Sequence, residues 1–269
     1  MRAEGRAEER AGEQELWAKG DYARIAPRMQ PIADAVVAAL QPWPGARVLD
    51  VAAGSGNATV AAARAGASVV ATDLVPAMVA TGRARCESLG LAVEWREADA
   101  LELPFPDLSF DAVMSSLGVM LVPHPHVAAA ELFRMVPSGG RVAVAAWARD
   151  GFNDHVSQVV RPFWPERTDT PTLANWGDEV TVAGLLAPWA TTIRHVHGSY
   201  RVTAMSVEAW VAEVIADAPP LAVLRETLSE PDRAKLAAAV DDVARRFAAE
   251  YPDGVTVELS YLVTTAEKR

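Results

Sequence analysis

Apolar and polar positions follow two periods along this chain. From Ile32 to Leu40 the apolar residues recur at helical spacing and predict an amphipathic helix, which Pro42 and Pro44 end. Short apolar and β-branched runs follow at about 46–51, 68–72, 92–96, 110–114 and 140–147, with helix-compatible segments near 57–65, 76–88 and 126–136 between them. Such alternation predicts a parallel sheet with helices on both faces. The mixed-charge stretch to about Glu15 reads as a frayed or peripheral helix. Between Asp150 and Pro188 no regular period is found, and Trp164 and Trp176 lie among several prolines. A segment of that kind between the fifth and sixth strands reads as a cap over a ligand site. A strand near 191–203, helices near 206–217 and 230–249, and a last strand near 255–265 complete the pattern.

Composition narrows the class. At 269 residues, with 51% hydrophobic and 22% charged positions, the chain can bury one large α/β core. A net charge of −10 gives no basic footprint for phosphate backbones, so small molecules are the expected partners and nucleic acid is disfavoured. A single cysteine, Cys86, excludes an intramolecular disulfide, and its place after Pro76 predicts a structural role on a helix. No apolar run approaches the length of a membrane span, and the charged start from Met1 to Arg6 is unlike a secretory signal. The expectation is a cytoplasmic protein with no membrane partner.

The chemistry concentrates where the first strand ends. Arg47-Val48-Leu49-Asp50-Val51 leads into Ala52-Ala53-Gly54-Ser55-Gly56-Asn57 and then into helix-compatible Ala58 to Ala63. A strand, tight loop and helix start bring backbone amides to one spot, and the missing side chains of Gly54 and Gly56 let a ligand lie against the main chain. A nicotinamide or flavin fingerprint needs glycine or alanine at its third position, but Thr59 stands there. Asp50, just before the loop, would repel a pyrophosphate and can orient a ligand bearing an ammonium group. That combination favours S-adenosylmethionine over NAD. Asp73 ends the second strand about twenty residues past the glycines, the distance at which such folds hold a ribose diol. Its alternative role is capping of the helix that opens near Pro76. Asp99 with Ala100, after the third strand, can read the amine and ring edge of adenine, or be a solvated loop acid.

In order along the chain, Leu49 to Asn57, Thr72-Asp73, Glu97 to Ala100, Phe110 to Val113 and Pro137 to Arg141 resemble the motifs of the class I S-adenosylmethionine-dependent methyltransferases. Leu103-Pro104-Phe105-Pro106-Asp107 and Gly118-Val119-Met120 are similar to bacterial small-molecule enzymes near the ubiquinone and menaquinone methyltransferases. The likeness is strong over residues 45 to 147, and Ala52 departs from it where many relatives carry glycine. It implies a Rossmann-like, doubly wound, seven-stranded sheet with an antiparallel last strand, plus a cap between strands 5 and 6. The implied layout is one domain: a helical lid over 1–44, a cofactor core over 45–147, a cap over 148–190, and the rest of the sheet with substrate-side helices over 191–269. It implies a cofactor site of Asp50, Ala52, Gly54, Ser55, Gly56, Asn57, Asp73, Leu74, Met78, Asp99, Ala100, Leu101 and Ser115.

The acceptor side carries weaker signals. The Asn/Asp-Pro-Pro-aromatic signature of many planar-nitrogen methylating enzymes is missing after the fourth strand, and no acid there suggests a metal cluster. The expectation is oxygen or carbon methylation of a quinone-like or secondary-metabolite acceptor, without metal. The same fold and cofactor can also serve a non-methylating reaction such as cyclisation, or a non-catalytic binding partner. In Pro123-His124-Pro125-His126, His124 is the first candidate for a general base, with capping or solvation as its alternative. Trp17, Tyr22, Trp147, Phe152 and Trp210 are candidates for a lid and an apolar acceptor pocket, and core packing is the alternative for each.

Overall fold

The structure, a computed structural model, describes residues 3–19, 22–164 and 174–269. Its elements in chain order are α1 (Ala3–Trp17), α2 (Tyr22–Ile25), α3 (Gln30–Leu40), β1 (Arg47–Val51), α4 (Asn57–Arg64), β2 (Ser68–Asp73), α5 (Pro76–Ser88), β3 (Glu94–Glu97), β4 (Ala112–Ser116), α6 (Pro125–Arg134) and β5 (Arg141–Trp147). There follow α7 (Phe152–Val160), α8 (Ala174–Gly177), α9 (Glu179–Leu186), β6 (Ala190–Ala204), α10 (Val207–Asp217), α11 (Pro219–Thr227), α12 (Glu230–Phe247), β7 (Ala248–Tyr251) and β8 (Gly254–Lys268). Two compact units divide the chain: Met29–Arg149, Asp169–Gly198 and Tyr261–Arg269 form a sheet unit, while Met1–Arg28, Asp150–Thr168 and Ser199–Ser260 form a mostly helical one.

The sheet unit grows from the fully buried runs. Val48, Leu49 and Val51 on β1 and Val142 to Ala146 on β5 are shielded on both faces, as parallel strands under helices must be. The strand order is β3-β2-β1-β4-β5-β8-β6; β1 pairs in parallel with β2 and β4, β4 with β5, and β8 runs antiparallel to β5. This is a Rossmann-like sheet, mostly parallel with an antiparallel C-terminal strand. The strand order reverses between β1 and β4, the place where open α/β sheets bind ligands at the carboxyl ends of their strands. Helix α3 forms as its periodicity predicts: Ile32, Ala33, Val36, Val37 and Leu40 are buried on one stripe, and Gln41 stops the helix in a left-handed conformation at φ 52°.

The helical unit packs α12 against α7 and α10, and α11 against α10 and α1. Ser206 and Ser229 cap α10 and α12 by accepting the amides of Ala209 and Asp232. Ion pairs Lys19–Glu226, Arg24–Asp217 and Arg28–Glu213 tie the chain before α3 to α10 and α11. Phe152 lies between Trp210 and Phe247, with ring centroids 6.2 and 6.0 Å away.

Three features differ from the sequence reading. An eighth strand, β7, pairs with β8 in a hairpin turned at Gly254, whose φ of 140° suits only glycine; four residues are too few to show a period, so they read as the tail of the preceding helix. Helix α11 begins directly after α10, with Pro219 and Pro220 in its first turn, and those prolines masked it as a break. The stretch after Asp150 contains helices: Phe152, Val156 and Val160 are buried four residues apart along α7, and Asp178 caps α9 by accepting the Thr181 amide. Residues 165–173 of the expected cap lie outside the described residues.

Candidate cofactor site

The glycine loop is built on an acid that never reaches the surface. Asp50, fully buried on β1, accepts the Thr59 hydroxyl at 2.6 Å, across the loop and inside the first turn of α4. Gly56, the N-cap of α4, has no side chain to cap the helix, so the strand carboxyl anchors the helix start in its place. Burial pushes the Asp50 carboxyl up to about 7, opposed by the bonds from Thr59 and reinforced by the charge of Asp73. Its Oδ1 is buried without a hydrogen-bond partner among the described residues. Asp50, expected to orient a ligand ammonium, is thus enclosed beneath the loop that its carboxyl anchors.

Three of the five residues from Ala52 to Gly56 are left-handed: Ala52 at φ 53°, Gly54 at 55° and Gly56 at 85°. Only Ala52 carries a Cβ there, so alanine in place of the relatives' glycine adds local strain and leaves the loop intact. The loop is pinned by Ala53 N–H to Thr72 O at 2.9 Å, and by Gly54 N–H to Asp73 Oδ2 at 2.7 Å. The other carboxylate oxygen of Asp73 accepts Val75 N–H at 2.9 Å. Asp73 thus joins the glycine loop to the start of α5, and burial raises its pKa. Its backbone carbonyl accepts Ala98 N–H at 3.0 Å, which draws the β3 loop to the same edge. There Asp99 Oδ1 accepts Leu101 N–H at 2.9 Å in an Asx turn, with Ala100 and Leu101 buried behind it. Leu74 and Met78 are half-buried beside Asp73 in the chain.

Ser115 Oγ donates to Val51 O at 2.7 Å and accepts Val119 N–H at 2.9 Å. Its hydroxyl therefore ties β4 to β1 at the switch point. Gly118 follows; a Cβ there would stand 2.3 Å from the Ala52 carbonyl oxygen. His124, half-buried, is the N-cap of α6 at φ 56°, where its carbonyl receives the Val127 and Ala128 amides, and His126 is exposed. Trp147, at the end of β5, is buried, and its amide points at Met120 Sδ, 3.4 Å away. Trp17 donates to Glu13 at 3.0 Å within α1. Phe152 and Trp210 belong to the helical unit's aromatic cluster, and the side chain of Tyr22 lies outside the described residues. Among the described residues no three His, Cys, Asp or Glu side chains gather where a metal ion could be held.

Several contributors went unread in the sequence. Trp95 is buried on a strand of charged neighbours because its ring covers two glycines: a Cβ on Gly82 would stand 2.1 Å from the ring, and one on Gly56 3.0 Å. A lone tryptophan in Glu94-Trp95-Arg96-Glu97 was the available signal. Arg134 donates to the carbonyls of Leu103 and Phe105 and to Glu131 and Asp107, and Glu131 accepts Leu103 N–H, so one ion pair on α6 shapes the Leu103 to Asp107 loop. Arg85 and Gln30 hold the glycine loop from behind.

Comparisons with known proteins agree with this geometry. A family model described as a methyltransferase domain matches residues 49–144. An uncharacterized protein of Mycobacterium tuberculosis is 38% identical over 258 residues, which cover 94% of this chain and 93% of that protein. The demethylmenaquinone methyltransferase of Clavibacter sepedonicus is 41% identical over 114 residues, 42% of this chain and 46% of that enzyme. Among solved structures, a candidate methyltransferase of Bacillus halodurans superposes with a TM-score of 0.62 at 18% identity over 88% of this chain and 98% of its own. The cyclase SpnF superposes at 0.55 with 20% identity, over 89% and 81%. The chain carries a methyltransferase domain over residues 49–144, belongs to one family with the mycobacterial relative that it matches along nearly its whole length, and is similar in part to the demethylmenaquinone methyltransferases.

Proposed function

We propose that this protein binds S-adenosylmethionine at the carboxyl ends of β1 to β4 and transfers its methyl group to a small organic acceptor, at oxygen or carbon of a quinone-like or secondary-metabolite molecule. The observation that carries the reading is Asp73: an enclosed carboxylate bonded to Gly54 N–H and adjoining the Asp99 loop. These residues fit the cofactor. Asp73 keeps lone pairs for a ribose diol, Asp99 and the Ala100–Leu101 backbone suit an adenine edge, and the left-handed glycines bring bare backbone to the amino-acid end. When bound, the sulfonium supplies an already activated methyl group for in-line displacement.

What remains for the chain is alignment, exclusion of water and acceptance of the acceptor's proton. We assign the last role to His124, the half-buried residue that opens α6 in the connection leaving β4. The similarity to a demethylmenaquinone methyltransferase and the net charge of −10 support a small, uncharged or cationic acceptor; no described helix is long and apolar enough to cross a membrane. The likeness to SpnF concerns the fold alone and gives cyclisation no separate support. The test is the intact mass of the product. Methyl transfer makes the acceptor heavier by one CH2 and releases S-adenosylhomocysteine in equal amount; an acceptor rearranged without gain of mass would refute it.

A further inference from the structure

Against the glycine loop stands a cation that the cofactor chemistry does not call for. Arg85, half-buried on α5, directs Nη1 to the carbonyl of Ser55 at 3.1 Å and to Asn57 Oδ1 at 2.7 Å, and Nη2 to Gln30 Oε1 at 3.3 Å. Gln30, at the start of α3, closes the ring by donating to the Asn57 carbonyl at 3.3 Å and to Asp34 at 2.8 Å. Among the described residues no carboxylate pairs with this guanidinium: its bonds run to neutral oxygens, and burial lowers its pKa. The fork lets Nη1 serve the loop while Nη2 reaches α3 through Gln30, a span that a single ammonium nitrogen lacks. Both Ser55 and Asn57 lie in the last stretch of the loop, around left-handed Gly56. Gly56 leaves no side chain to hold that stretch, so Arg85 fixes the Ser55–Gly56 peptide from outside.

We propose that Arg85 is a positioning residue for the amino-acid end of the cofactor: it sets the direction of the Ser55–Gly56 peptide and the first amides of α4. The inference rests on the proposed cofactor reading, in which Asp73 and Asp99 hold the nucleoside and the glycine loop faces the amino-acid part. The consequence is selective. Loss of the strut weakens ligands that reach the loop end and spares those that stop at the nucleoside, whose partners are at the end of β2 and in the loop after β3.

Calorimetric titration of the full chain with S-adenosylhomocysteine and with 5′-methylthioadenosine, which lacks the amino-acid end, tests this on wild type, Arg85→Met and Arg85→Lys. Circular dichroism melts accompany each. The expected result for Arg85→Met is S-adenosylhomocysteine affinity about tenfold weaker with 5′-methylthioadenosine within about twofold of wild type. Arg85→Lys should recover part of the loss, since one ammonium can donate to Ser55 and Asn57 but has no second nitrogen to reach Gln30 as Nη2 does. Equal weakening of both ligands, or of neither, in whichever variant is folded would overturn the inference. Failure of wild type to bind S-adenosylhomocysteine would instead sink the cofactor reading itself.

Discussion

Replacing Asp50 by asparagine isolates the cost of burying an acid beneath the loop. The asparagine oxygen can still accept the Thr59 hydroxyl, so the anchor of α4 survives while the ionisation is removed. A carboxyl carried from 3.8 when unfolded to about 7 when folded holds its proton more tightly in the native state. Stability is therefore greatest below the unfolded value and declines as pH rises through about 4 to 7, the window set by those two numbers. At 1.36 kcal/mol per pKa unit the loss by pH 8 is roughly 4 kcal/mol, an upper figure because water and backbone relax around real buried charges. Asp73, also raised by burial, adds a decline of the same sign. Urea denaturation of wild type and Asp50→Asn at pH 5 and pH 8 is the assay. Wild type should lose up to about 2.6 kcal/mol between the two, since part of the window lies below pH 5, and the variant should lose less, becoming the more stable protein at pH 8. A variant whose stability relative to wild type is the same at both pH values would refute the reasoning, because ionisation of the carboxyl would then carry none of the pH dependence.

Other outcomes follow from single contacts. Asp73→Ala removes charge-assisted bonds worth roughly 1.5–3 kcal/mol, so S-adenosylhomocysteine affinity should fall about ten- to a hundredfold in calorimetry. Gly118→Ala places a Cβ 2.3 Å from the Ala52 carbonyl; overpacking of about 1–3 kcal/mol should lower the melting temperature and the cofactor affinity together. Arg134→Met strips the Leu103 to Asp107 loop of its bonds at Leu103 O, Phe105 O and Asp107 and should increase proteolysis there before global unfolding. Turnover should persist in EDTA without added magnesium, and restoration of lost activity by that metal would count against the expected acceptor chemistry.

What could be read beforehand depended on how local the cause was. The buried run Val48 to Val51, the glycines at 54 and 56 and the acid at 73 sit in one stretch each, so their strand, turn and strand-end roles show in order along the chain. The tie from Ser115 to Val51 and Val119 is invisible in sequence, since a serine after a strand suits a ligand as well as a backbone carbonyl 64 residues away. The same holds for Arg85, which reads as a solvated helix charge until α3, the loop and α5 are brought together. Trp95 was obscured by its charged neighbours, because strand alternation places one buried ring between exposed Glu94 and Arg96 without a longer apolar run. Helix α11 and strand β7 escaped because their signals were double proline and brevity, both of which also describe loops.

The most direct test of the account is calorimetric titration of the ligand-free full chain with S-adenosylhomocysteine, and in parallel with NAD. The account predicts saturable one-to-one binding of S-adenosylhomocysteine, weakened in Asp73→Ala, and no heat of binding from NAD. Binding of NAD in its place, or S-adenosylhomocysteine affinity unchanged by loss of Asp73, would contradict it.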